Sequence, residues 1–226
     1  MKIRIPYHPV YIALFLLLAF LAYQAHQLAR HLVGAALCGR FGTMTFTVSQ
    51  TRQPCSLPTL VTLSGPVLTY GLAYLGMFLL RSRKYALFAY ALIFASFSHL
   101  RFIQNLTGRG DELALAQQWF GVSNRLIVAA VVFLIGLPPV IAAFRVIANR
   151  RRWPIFTGSW LLPIPVLVIL LLGNAFLFEK SDAGTRLGSF LGIWLTVLIT
   201  DLVAGALFIL LAPRYLRTGE LAATSD

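Results

Sequence analysis

Six apolar runs, at about 9–37, 59–80, 85–103, 124–144, 156–178 and 188–212, take up most of the 226 residues. A helix needs about 20 apolar residues to cross the roughly 30 Å hydrocarbon core of a bilayer, and each run is near that length. Backbone groups in lipid must find partners within the spanning structure. Continuous runs of this length meet that demand as helices, whereas barrel strands would show short alternating segments. At 58% hydrophobic and 12% charged residues, with a mean hydropathy of +0.79, the chain is too apolar for a water-soluble domain of its size. The expected fold is an all-α integral membrane protein with about six transmembrane helices, a single polytopic domain over residues 1–226.

Lys2 and Arg4 precede the first run, as they would in a signal peptide, but the run is too long for a signal core and no A-x-A cleavage site follows it. It is read as the first spanning helix. The stretches between runs reach only about 20 residues, too few to bury a core of their own.

The net charge of +12 is informative through its placement. With the N-terminus inside, eleven Lys and Arg fall on the inner side and seven on the outer, and Arg30 within the first run completes the nineteen. The positive-inside rule then puts both termini in the cytoplasm, and the short loops suggest a bacterial inner membrane. "RSRK" (81–84) and "RVIANRRRW" (145–153) become interfacial anchors rather than a nucleic-acid patch. Cys38 and Cys55 bracket the first loop. In an oxidising compartment they would pair and stabilise the fold by about 3 kcal/mol; two free thiols are the alternative.

Within that loop "TMTFTVS" is β-branched and alternating, which predicts a short hairpin between the first two helices. The third loop predicts a short amphipathic helix with Asp111 and Glu112 in its first turn, where acids complement the helix dipole. Asn105-Leu106-Thr107 matches a glycosylation triplet. Pro138, Pro139, Pro163 and Pro165 predict kinks in the fourth and fifth helices.

Polar residues inside a membrane need partners or purposes. Tyr23, Gln24, His26, Gln27, Arg30 and His31 cluster near the end of the first run; His99 and Arg101 close the third; Asn174 and Asp201 lie in the fifth and sixth. On the inferred topology the first and third groups share the outer side with Asp111. "HQLARH" (26–31) nearly spells the zinc motif H-E-x-x-H, but its histidines are five apart. At 100° per residue His26 and His31 point about 140° apart, so only a π-bulge would align them. With His99 or Asp111 as third ligand they would then form an open zinc site. The alternative is histidines that snorkel to the interface or bond to neighbouring helices. Arg30 requires an anion, and Asp201 is the intramembrane candidate.

Residues 20–121 resemble the core of the site-2 protease family of intramembrane zinc metalloproteases. "AHQLARHLVGAALCGRFGTMTFTV" lies where that family has its motif helix and β-hairpin, "TLSGPVLTYGLAYLGMFLL" where it has a helix opening on a glycine-proline pair, and "GRGDELALAQQWFG" where it has a ligand aspartate. The resemblance implies Asp111 at that aspartate, with Glu112 replacing the glycine that follows it. Aligned at His26, it puts Gln27 at the general-base glutamate and Arg30 at the second histidine. Aligned at His31, it puts Gln27 at the first ligand and Leu28 at the base. Neither register is intact: an amide cannot take a proton from a zinc-bound water, and a guanidinium opposes a dication. The family places its motif toward the cytoplasm, whereas the charge count here puts it outside.

The front half (1–121) therefore reads as a degenerate site-2 protease core and the back half (122–226) as three further helices. The expected function is a non-proteolytic membrane protein that binds lipid or a transmembrane helix of another protein. A zinc-dependent membrane hydrolase with an altered ligand set, and a small transporter or channel using His26, Arg30, His31 and Asp201, are the alternatives. Zinc is the one cofactor under consideration; no phosphate loop or C-x-x-C pair points to a nucleotide or redox group.

Overall fold

The computed structural model describes residues 2–51, 55, 57–180, 186 and 188–216. Arg52 and Arg217, both in the charge count above, lie outside them. Among the described residues six helical stretches are long and apolar enough to cross a membrane: Pro9–Cys38, Pro58–Leu79, Arg83–Leu106, Arg125–Val146, Arg152–Phe178 and Leu195–Tyr215. Helix α1 (Pro9–Cys38) starts with proline at its first position, is capped by His8 Nδ1 accepting from the Val10 amide, and stops at Gly39 in the left-handed region (φ 70°). Helix α2 (Pro58–Leu79) runs back from it.

The third stretch is central, and it is broken. Helix α3 (Ala86–Ala95) is apolar all round and buried all round, with Tyr90, Ile93 and Phe94 fully enclosed. Gly76 of α2 makes that enclosure possible, since a side chain there would press on Ile93 and the Ala89 carbonyl. At Phe97 the backbone turns left-handed (φ 61°), and a single 3₁₀ turn leads into helix α4 (Arg101–Leu106). The continuous helix expected over 85–103 is thus two, joined where Phe97 packs edge-on against Tyr23 at 5.8 Å. Helix α5 (Asp111–Phe120) is the predicted amphipathic segment.

Helix α6 (Arg125–Val146) is capped by the Asn124 side chain. The fifth stretch splits at its prolines into α7 (Arg152–Leu161) and α8 (Ile164–Asn174), followed by a π turn over Ala175–Lys180. Helix α9 (Leu195–Tyr215) ends the described chain and leaves Ile209 and Leu210 more than 70% exposed. Large apolar side chains are also bare on α6 and α8, including Leu134, Ile169 and Leu172. A belt of this kind calls for an apolar surrounding.

At the Cys38 end of α1 the predicted hairpin forms: β1 (Thr43–Met44) pairs antiparallel with β2 (Ser49–Gln50). A second hairpin, β3 (Ser189–Phe190) and β4 (Ile193–Trp194), adds parallel to β1 at Met44 and Ile193, giving the order β2-β1-β4-β3. Its two-residue turn, Leu191-Gly192, has both φ values positive, as hairpin twist demands. Gly192 approaches the Gly42 carbonyl so closely that no side chain would fit. A Cys38–Cys55 disulfide closes the first loop. At the opposite end Ile3 bridges to Ile147, and the Asn149 side chain bonds both backbone groups of Ile5.

Candidate functional site

A buried cluster of charges joins α1, α2, α4 and α5 near the disulfide end. Helix α1 supplies His26 and Arg30 one turn apart on one face, with Tyr23 beside them. Arg101 enters from the first position of α4, directly after the broken segment. Asp111 and Glu112 enter from the first turn of α5, which is folded back by the turn at Gly108–Gly110. Asn105 locks that turn. It is fully buried, its Oδ1 accepts from the Leu113 amide at 2.8 Å, and its Nδ2 donates to the Arg101 carbonyl and to Glu112 Oε2. A Cβ on Gly110 would collide with the Asn105 carboxamide. Asn105 is therefore a structural residue and not a glycosylation acceptor.

Asp111 is the hub. Its Oδ1 accepts from Arg30 Nη1 at 3.0 Å; its Oδ2 accepts from Arg101 Nη2 at 2.8 Å and faces His26 Nε2 at 3.3 Å. Arg101 also donates through Nε to Glu112 Oε1, which takes a further bond from the Tyr70 hydroxyl at 3.1 Å. In the neutral imidazole the carboxylate partner makes Nε2 the protonated nitrogen, so Nδ1 accepts from the Thr69 hydroxyl at 2.9 Å. The ring lies against Gly65, where any Cβ would run into it. Two guanidiniums thus face two carboxylates, and the charges cancel. Burial alone would raise the Asp111 carboxyl, but the bond from His26 and the fields of Arg30 and Arg101 outweigh it and hold it well below the usual carboxylate range.

The four candidate zinc ligands are not assembled. His26 and Asp111 meet, whereas His31 donates from Nε2 to the Leu191 carbonyl at 2.8 Å and packs on Phe41, pinning α1 to the second hairpin. His99 donates from Nε2 to the Trp160 carbonyl at 2.9 Å. Helix α1 is regular throughout, so the π-bulge that would align His26 with His31 is missing; the π turn falls after α8 instead. Among the described residues no three His, Cys, Asp or Glu side chains gather as a metal would require. The donor set does not fit zinc, because permanent cations already contact both Asp111 oxygens.

Two other expectations need correction. Arg30 pairs with Asp111 and not with Asp201, whose buried Oδ1 has no hydrogen-bond partner among the described residues. Asp111 and Glu112 are more than dipole caps, being the anionic half of the cluster. Gln27 makes a polar contact, donating to the Thr47 carbonyl at 3.0 Å, while Gln24 donates to that of Phe46. These two amides fasten α1 to the first hairpin. Sequence reasoning missed Thr69, Tyr70 and Asn105; a threonine and a tyrosine adjacent within an apolar run were the available signal.

Chemically, this arrangement positions and neutralises. Asp111, held ionised by three partners, is a weak base at neutral pH, and Thr69 is buried beneath the His26 ring with 3% exposure. Comparison of the chain with family models, characterised proteins and solved structures finds no match.

Proposed function

We infer that the protein is a non-proteolytic membrane protein whose front half derives from a site-2-protease-like core, with ion pairs standing where a metal once stood. One observation carries this reading. Arg30, the residue at the second histidine position, has its guanidinium on Asp111, the residue at the ligand aspartate, and His26 faces the same carboxylate. A cation of the chain's own thus performs the charge balance that a zinc ion would supply.

The cluster then serves as a lock. It ties α1 to α4 and α5 from sequence positions 81 residues apart, and the hairpins and disulfide brace the same end. The work left to such a protein is binding within the bilayer, to lipid or to another transmembrane helix. The disulfide supports an oxidising compartment at the Cys38 end, which agrees with the charge count and with cytoplasmic termini. A transport path gains little, since the cluster is charge-balanced and α1 carries only apolar residues between Tyr11 and Tyr23.

The double variant Gln27→Glu, Arg30→His rebuilds H-E-x-x-H on α1 and tests the descent. Zinc uptake by the detergent-purified variant, lost on adding Asp111→Asn, is the expected result. A folded variant that takes up no zinc would contradict it.

A further inference from the structure

Between α6 and α7 lies an apolar cavity of about 420 Å³, which shares no lining residue with the charge cluster. Its walls include Phe133, Leu137 and Phe144 of α6 and Phe156 and Trp160 of α7, with His99 among them. From Phe133 to Arg145 the lining extends about 18 Å along α6 at 1.5 Å per residue. That is a slot running from mid-helix to the basic end of the molecule, the end opposite the disulfide.

The mouth at that end is cationic. Arg145 lines the cavity itself, and Arg150, Arg151 and Arg152 follow in the turn into α7. Backbone pairing adds two more: the Ile3 amide donates to the Val146 carbonyl at 2.7 Å and the Ala148 amide to the Ile3 carbonyl at 2.8 Å, which brings exposed Lys2 and Arg4 beside the same turn. Among the described residues every ion pair belongs to the charge cluster, and none involves these six side chains. Trp153, 67% exposed, also lines the mouth, as an amphipathic ring does at a membrane interface. An apolar slot whose basic rim has no acidic partner among the described residues is complementary to an amphiphile with an anionic head and a hydrocarbon tail.

We propose that this cavity binds an anionic phospholipid, one acyl chain filling the slot and the phosphate resting against Arg145 and its basic neighbours. The proposal deepens the lipid half of the function given above and rests on that reading only there. Zinc in the wild-type protein would end the account of the charge cluster and leave the lipid site standing, and absence of lipid retention would do the reverse.

The test is native mass spectrometry of the full chain, released from nanodiscs of equal parts phosphatidylglycerol and phosphatidylcholine. One phosphatidylglycerol per chain should be retained in preference. Arg145→Gln should lower that retention about fivefold, the attraction of one basic side chain for an anionic surface. Ile141→Trp, a half-exposed lining position, should abolish it by filling the slot while leaving thermal unfolding unchanged. Equal retention of the two lipids would overturn the proposal. So would retention that Ile141→Trp leaves intact, because the lipid would then sit on the rim alone.

Discussion

Arg30 Nη1 lies 3.0 Å from Asp111 Oδ1, although the two residues are 81 apart in the chain. The pair closes a cluster in which Arg101 touches both Asp111 and Glu112, so each charge depends on the others for its place.

Removing one member of a buried ion network leaves its partners uncompensated, at a cost of about 3–5 kcal/mol. Arg101 is only 5% exposed and holds two carboxylates, so Arg101→Met should fall in that range. Arg30→Met, on the more open side of Asp111, should cost less. Thermal unfolding in one detergent, ranked across both variants, checks this order.

Asp111 sets a pH dependence whose sign is fixed. Its folded carboxyl titrates well below the usual range, so the unfolded state binds more protons in acid. Its stabilising contribution is complete above about pH 4 and is lost as pH falls below that value toward the folded titration point. Unfolding midpoints measured from pH 7 to pH 3 should decline at the acid end for the wild type, and the decline should shrink in Asp111→Asn.

Gly65 is where the His26 ring seats, so Gly65→Ala should destabilise by about 1–3 kcal/mol through overpacking. In a His26→Ala background the added methyl has room. The two substitutions should therefore couple, with the double variant more stable than the sum of the single effects predicts. Additive effects would place the imidazole elsewhere.

The Cys38–Cys55 bond closes the first loop over the hairpin. Cys38→Ser should cost about 2–4 kcal/mol, and reduction of the wild type should produce a similar loss. After reduction, a membrane-impermeant maleimide should label intact spheroplasts, as expected if that end lies outside.

Much of this architecture was legible in the residues. Run length and composition specify six helices because lipid permits few other solutions, and alternation in "TMTFTVS" specifies the first hairpin. The second hairpin was hidden within a sixth run that reads as helix from its start. Only long-range pairing with β1 reveals it. The break at Phe97 carries no glycine or proline to announce it. In the cluster, His26, Arg30 and Arg101 each stood out as costly in an apolar setting, whereas Asp111 read as a dipole cap in a loop; their mutual pairing depended on the turn at Gly110 and on Asn105, which local sequence presents as a glycosylation triplet. His31 and His99 stood out equally, and both proved to be bonded to main-chain carbonyls. Polarity alone does not separate an ion network from a helix tether.

On the function proposed here, the chain's own cations stand beside Asp111 in place of a metal. Elemental analysis of the detergent-purified wild type, supplemented with zinc and then desalted, decides the matter. No stoichiometric zinc is expected, in the wild type or in the His26→Ala, His31→Ala variant. Near one zinc per chain in the wild type, lost in that variant, would contradict it.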